Sequence, residues 1–169
     1  KNPRDFAASG IVAGKLFIAG GGMYNSMTSG WLDSAEYYDA ETRQWQDVKE
    51  RMNYKRNFAI GEGWGENLFI GYGLDTTGST SNGLIYLESL ERYGRVDTQK
   101  PDWLLFSDVA SPARFGAGSC IAEVNGKYYL YVIGGKSQQI GYMNETIRWL
   151  IWDGNVRDYV FEGDGEGWT

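Results

Sequence analysis

The chain of 169 residues contains no histidine at all. Serine or cysteine nucleophiles activated by a histidine base are therefore excluded from it, as are histidine-built zinc and copper sites. A single cysteine, Cys120, excludes an intrachain disulfide and favours a reducing compartment, so a cytoplasmic setting is expected. Cys120 lies among small residues, Gly116-Ala117-Gly118-Ser119-Cys120-Ile121, and is expected to be a buried packing residue. Prolines number only 3 against 24 glycines, which suits β structure with tight turns. Apolar runs such as 128–133 are far too short to span a bilayer as a helix. No secretory signal and no initiator methionine stand at Lys1, so the chain is expected to begin inside a longer protein. A net charge of −6 disfavours nucleic acid and anionic membranes as partners and suits a basic one.

What the chain does have is a threefold internal repeat. An apolar run ends in glycines three times: Leu16-Phe17-Ile18-Ala19-Gly20-Gly21, Leu68-Phe69-Ile70-Gly71-Tyr72-Gly73 and Tyr131-Val132-Ile133-Gly134-Gly135. Each run follows an arginine (Arg4, Arg56, Arg114) and a small-residue stretch. Each precedes a polar loop, an aromatic-rich segment and a late aromatic, Trp45, Trp103 or Tyr159. The arginines are 52 and 58 residues apart, which divides the chain into units at 1–52, 53–110 and 111–169.

Each unit reads as four strands. The first is short and small-residue-rich (7–13, 58–64, 115–124), fit for a crowded place near an axis. The second is the uninterrupted apolar run, expected to be covered on both faces. Turns at Ala13-Gly14, Gly65-Glu66 and Asn125-Gly126 join the two. The third strand carries aromatics (35–39, 87–93, 147–152), and the fourth is expected at 45–48, 103–106 and 159–161. Helix is not expected. A sheet of this size cannot bury both faces alone, so the prediction is all-β with four-stranded blades stacked about an axis.

The order of arginine, small strand, apolar strand with paired glycines, variable loop, Glu36-Tyr37-Tyr38-Asp39 and then Trp45 resembles the kelch repeat, and the resemblance covers nearly the whole chain. The second unit departs from the pattern at Gly71-Tyr72-Gly73, and the third ends in Tyr159. The resemblance implies a kelch-type β-propeller. Three blades are too few to close a ring, so the chain is expected to form part of a larger one of about six blades. Further blades, a second copy or another domain would cover the two end faces.

Chemistry finds little support. Walker and dinucleotide-binding glycine motifs are absent, and Gly61-Glu62-Gly63-Trp64-Gly65 reads as strand and turn. The carboxylates Glu36, Asp39, Asp75, Glu88 and Glu91 show no spacing that singles out an acid–base pair, and the 162–167 tail reads as a flexible acidic segment without calcium-loop spacing. No cofactor, no metal and no enzymatic activity are expected.

The resemblance instead implies a protein-interaction module of substrate-adaptor or scaffold type. A protein or peptide partner would dock on the second-to-third-strand loops and the entrance to the first strand. Candidate contact residues are Tyr24 and Trp31 on the first loop, Asp75 and Asn82 on the second, Lys136 on the third, and Arg4, Arg56 and Arg114 at the entrances. The arginines read equally well as structural groups bonding carbonyls within a blade. The competing reading is a galactose-oxidase-like or carbohydrate-binding propeller whose catalytic residues lie outside this chain.

Overall fold

The structure is a computed structural model that describes residues 3–23, 30–76, 83–94, 100–106, 111–153 and 163–164. Its described residues form strands and turns with no helix. The first sheet runs in order through β1 (Ala8–Val12), β2 (Lys15–Ala19), β3 (Ala35–Asp39) and β4 (Gln44–Asp47), each antiparallel to the next. The second comprises β5 (Ile60–Trp64), β6 (Asn67–Gly71), β9 (Leu90–Gly94) and β10 (Asp102–Phe106), with a small hairpin of β7 (Leu74–Asp75) and β8 (Ile85–Tyr86) inserted after β6. The third repeats the pattern with β11 (Gly118–Val124), β12 (Lys127–Ile133), the inserted hairpin β13 (Lys136–Ser137) and β14 (Gly141–Tyr142), then β15 (Thr146–Trp152) and β16 (Gly163–Asp164).

Local chemistry sets the inner hairpins. Ala13 and Gly14 both take positive φ (47° and 77°), as do Asn125 and Gly126 (53° and 77°). Two left-handed central residues match the twist of the flanking strands in a two-residue turn. The Gly65-Glu66 turn is left-handed at Gly65 alone, with φ 57°.

The apolar runs then stack the sheets. On β6, Leu68 and Ile70 enter a core with Ala8, Phe17, Ala19 and Trp103, while Phe69 enters the other with Leu130, Val132 and Trp149. Period-two alternation on one strand thus feeds two interfaces. Each of these three side chains is essentially inaccessible, and burying one is worth about 1.5–3 kcal/mol. The end sheets differ. Leu16 on β2 and Ile133 on β12 remain 38% and 49% exposed, so only the middle run is covered on both faces.

The first strands of neighbouring sheets meet backbone to backbone. A Cβ on Gly10 would stand 2.5 Å from the Gly63 nitrogen, and one on Gly63 would fall inside the Ile11 carbonyl. Hydrogen bonds cross these seams: Ala13 N–H donates to Gly65 O at 2.9 Å, Phe58 N–H to Phe6 O at 3.2 Å, and Gly116 N–H to Phe58 O at 3.0 Å. The glycines are there to permit that approach.

Two expectations are corrected. Cys120 is exposed rather than buried, because the face of β11 that carries it has no described sheet against it. The strand expected at 159–161 lies outside the described residues. The partner of β15 is β16, where Gly163 and Asp164 pair with Trp149 and Arg148, so part of the supposed flexible tail is sheet.

Tyr93 packs on Trp103 (ring centroids 5.2 Å apart) and on Phe17 (6.0 Å). Burial, with smaller contributions from Glu50 and other neighbours, pushes its phenol from 10.0 up to about 12. The folded chain thus favours the protonated phenol. Its contribution to stability is complete below pH 10 and is lost as pH rises through about 12. An ultraviolet absorbance titration should show late tyrosine absorbance to which Tyr93, near pH 12, contributes alongside Tyr72 and Tyr128, whose phenols are also raised, and Tyr93→Phe should lower its amplitude by one tyrosine. An unchanged late amplitude in the variant would contradict the assignment.

Candidate functional site

Strand parity decides which residues can share a surface. In each sheet the first strand begins, and the second ends, at the same edge, since Ala8 pairs with Ala19, Ile60 with Gly71 and Gly118 with Ile133. The third strand starts there too. The loops after the second strand and the connections between sheets therefore converge on one face. The same cross-link recurs on all three sheets, as Asp5 bridges Gly22, Asn57 bridges Leu74 and Phe115 bridges Lys136.

The three arginines sit beneath this face and point into their own blades. The Arg4 guanidinium donates to Gly20 O (2.8 Å), Ser34 O (3.0 Å) and the Glu36 carboxylate (2.8 Å). Arg56 repeats this on Tyr72 O (2.8 Å), Ser89 O (3.0 Å), Ser89 Oγ (2.8 Å) and Glu91 (2.9 Å). Arg114 donates to Gly134 O (3.1 Å), Ser111 Oγ (2.8 Å) and Glu145 (3.1 Å). In the first two sheets the carboxylate lies on the third strand, opposite Ile18 or Ile70. In the third, Ile147 holds that place opposite Val132, and the acid comes from Glu145, two residues earlier.

The Arg56–Glu91 pair is sealed, with both side chains inaccessible. Burial lowers the Arg56 pKa, and the Glu91 charge and hydrogen bond oppose that shift. Glu91 also accepts from the backbone N–H of Asn53 (2.6 Å) and Tyr54 (3.3 Å) and from the Asn53 side chain (2.9 Å). One carboxylate thus ties the second blade to the connection arriving from the first.

Of the two readings of Arg4, Arg56 and Arg114, these contacts fit the structural one rather than the partner-facing one. Most of their donors are taken up by blade carbonyls, serine hydroxyls and glutamates, the buried Arg4 Nε being left without a partner, and their side chains are 4%, 0% and 0% exposed. Trp31 and Asp75 are also buried, at 8% and 1%, beneath the loop face rather than on it. Lys136 is half-buried with its ammonium 5.3 Å from the Tyr142 ring. Tyr24 and Asn82 lie outside the described residues.

The surface shows a feature that residue-by-residue reading missed. Phe6, Phe58 and Gly116 are equivalent positions, joined in sequence by the seam hydrogen bonds described above, and all three have left-handed backbone (φ 49°, 56° and 64°). Glycine adopts that conformation freely in the third blade, whereas phenylalanine holds it under strain in the first two. Phe6 is 59% exposed and stacks on Phe58 with centroids 4.0 Å apart. Phe58 meets Phe115 at 5.8 Å, and Phe115 meets Tyr86 at 5.5 Å. The signal in the sequence is a phenylalanine two residues after both Arg4 and Arg56, and directly after Arg114.

Tyr86 leads from this row into a groove of about 560 Å³ between the second and third blades. Tyr54, Glu88, Ser89, Pro112 and Gln138 are among its walls. Both serines that line it are engaged, Ser89 Oγ by Arg56 and Ser137 Oγ by the Gln139 N–H (3.2 Å). Among the described residues no group of three or more acids and cysteines is placed to hold a metal, and no helix is long and apolar enough to cross a membrane.

Residues 3–52 match the kelch motif. No curated protein matches the chain. Among solved structures the chain is similar to one described as the structure of YjhT, with 14% identity and a TM-score of 0.67 over 95% of this chain. It spans 54% of that structure's chain, about half its length, and at this identity the likeness speaks to fold. With the kelch motif on the first sheet, and the same strand order, buried arginine and glycine turn on the next two, the chain has the fold of a three-blade arc of a β-propeller whose first blade is a kelch motif.

Proposed function

We propose that this arc is a recognition module that docks a protein partner on its loop face. The observation that carries the reading is the continuous aromatic row, partly exposed and held on strained backbone, opening into a groove at the edge where loops and connections converge. Strain of this kind clusters where a side chain is displayed for use. Rings with one open face are efficient anchors, since they bring large contact area at small entropic cost. The buried arginine–glutamate pins beneath make the platform rigid, which lowers the cost of ordering it on binding. A binding role suits the groove better than catalysis, because its serine hydroxyls are committed to structural bonds and no histidine is available to activate them. The exposed Leu16 and Ile133 on the end sheets suit a different contact, with further blades or a second copy that closes a ring.

The test is partner capture by the chain and by two surface variants. Phe6→Ser/Tyr86→Ser alters the loop face. Lys15→Ser alters the opposite edge, where Lys15, 44% exposed, lines a separate cavity with Phe17, Tyr37 and Tyr93. Partners should be lost with the first variant and kept with the second. Equal recovery with both would overturn the proposal.

A further inference from the structure

Resting on that reading, we infer that the aromatic row and its groove bind a basic peptide, with an arginine side chain lying over the rings of Phe6, Phe58 and Phe115. The row supplies the flat surface. Its rings have exposed or half-exposed faces, and a guanidinium stacks on such faces through the ring quadrupole as well as by contact. The backbone adds weight to a role in binding. The equivalent place in the third blade carries Gly116, so the fold itself accepts glycine there, yet two blades keep phenylalanine at positive φ.

Charge selects the sign of the occupant. Glu88 is the one charged side chain among the described residues lining the groove, and it is exposed. Asp5, also exposed, immediately precedes Phe6, so the row carries a carboxylate near each end. Four cations that an acidic ligand could use are drawn away from it, leaving the half-buried Lys55 beside Tyr54. Arg4, Arg56 and Arg114 are turned inward onto their own glutamates, and the Lys136 ammonium lies against Tyr142. The chain as a whole carries −6, which draws a basic segment toward it.

The experiment is a backbone-amide NMR titration of the chain with three hexapeptides of alternating glycine and a variable residue: arginine, its neutral isostere citrulline, or glutamate. The arginine peptide should shift the amides of Phe58, Gly116 and Glu88. Its affinity should fall about tenfold in Phe58→Gly, as expected for loss of a stacked cation, and by a smaller factor in the surface variant Glu88→Gln. The thermal midpoint should stay close to that of the parent in both variants, because glycine is at home on left-handed backbone and Glu88 is exposed. Equal binding of the citrulline peptide, or undiminished arginine binding in both variants, overturns the inference. Shifts with the glutamate peptide alone would also overturn it while leaving loop-face recognition standing. Silence from all three peptides overturns it as well, and the partner-capture comparison then decides the broader proposal separately.

Discussion

Glu91→Ala should cost the chain about 3–5 kcal/mol, the range for stripping one partner from a buried ion pair. Against a typical total of about 5–15 kcal/mol, that is enough to leave a large unfolded fraction at ambient temperature. The size of the effect follows from what Glu91 does. It neutralises a guanidinium with no access to water and caps two backbone N–H groups of the connection from the first blade. Without it, Arg56 is a charge in a low-dielectric interior and the Asn53 amide loses its acceptor. The surface pair Arg51–Asp33, at 3.2 Å but 61% and 37% exposed, is the control, and Asp33→Ala should cost less than about 1 kcal/mol. Urea unfolding of the two variants side by side makes the comparison, and similar midpoints would defeat the argument. The double change Arg56→Met/Glu91→Leu should recover only part of the loss, since it removes the uncompensated buried charge but leaves the Asn53 and Tyr54 N–H groups and the Tyr72 carbonyl without these partners.

Gly63→Ala is the second large effect, about 3 kcal/mol, the upper end for overpacking a tight contact. The added methyl would land on the Ile11 carbonyl, in backbone that cannot rotate away as a side chain can. Relief requires the first blade to separate from the second, and the bond from Ala13 N–H to Gly65 O would loosen with it. Hydrogen exchange at Ala13 should therefore accelerate along with the drop in stability. Gly65→Ala tests the mechanism from the other side. A methyl there meets open space, and only the left-handed backbone (φ 57°) resists it, at about 1–2 kcal/mol. If the two alanines cost the same, crowding at the seam is not what the glycine relieves.

Much of the fold was legible because its determinants are local and repeated. The runs ending in Gly20-Gly21, Gly73 and Gly134-Gly135, and turns such as Asn125-Gly126, encode their conformation within a few residues. Stacking followed from the size of the unit. The small hairpins Leu74–Asp75 with Ile85–Tyr86, and Lys136–Ser137 with Gly141–Tyr142, escaped notice because two-residue strands carry no period. Cys120 was misplaced because its small neighbours describe a crowded strand without saying which of its faces lacks a neighbouring sheet.

The candidate site was less legible, for a physical reason. An arginine can serve a partner or a carbonyl with the same five donors, and the choice rests on a carboxylate 35 residues away in the case of Arg56 and Glu91. No spacing rule reaches that far. A phenylalanine that follows an arginine does not by itself say whether its ring is buried or displayed. Only the backbone angle at Phe6 and Phe58 and the open face of their rings separate display from burial.

The outward position of Cys120 has a practical consequence. As the chain's lone thiol, it is a single attachment point for a maleimide dye on an end sheet, directly across from Tyr131. Whatever seats against that sheet would shield the sulfur, so the rate of labelling becomes a gauge of how fully the arc's open end is occupied.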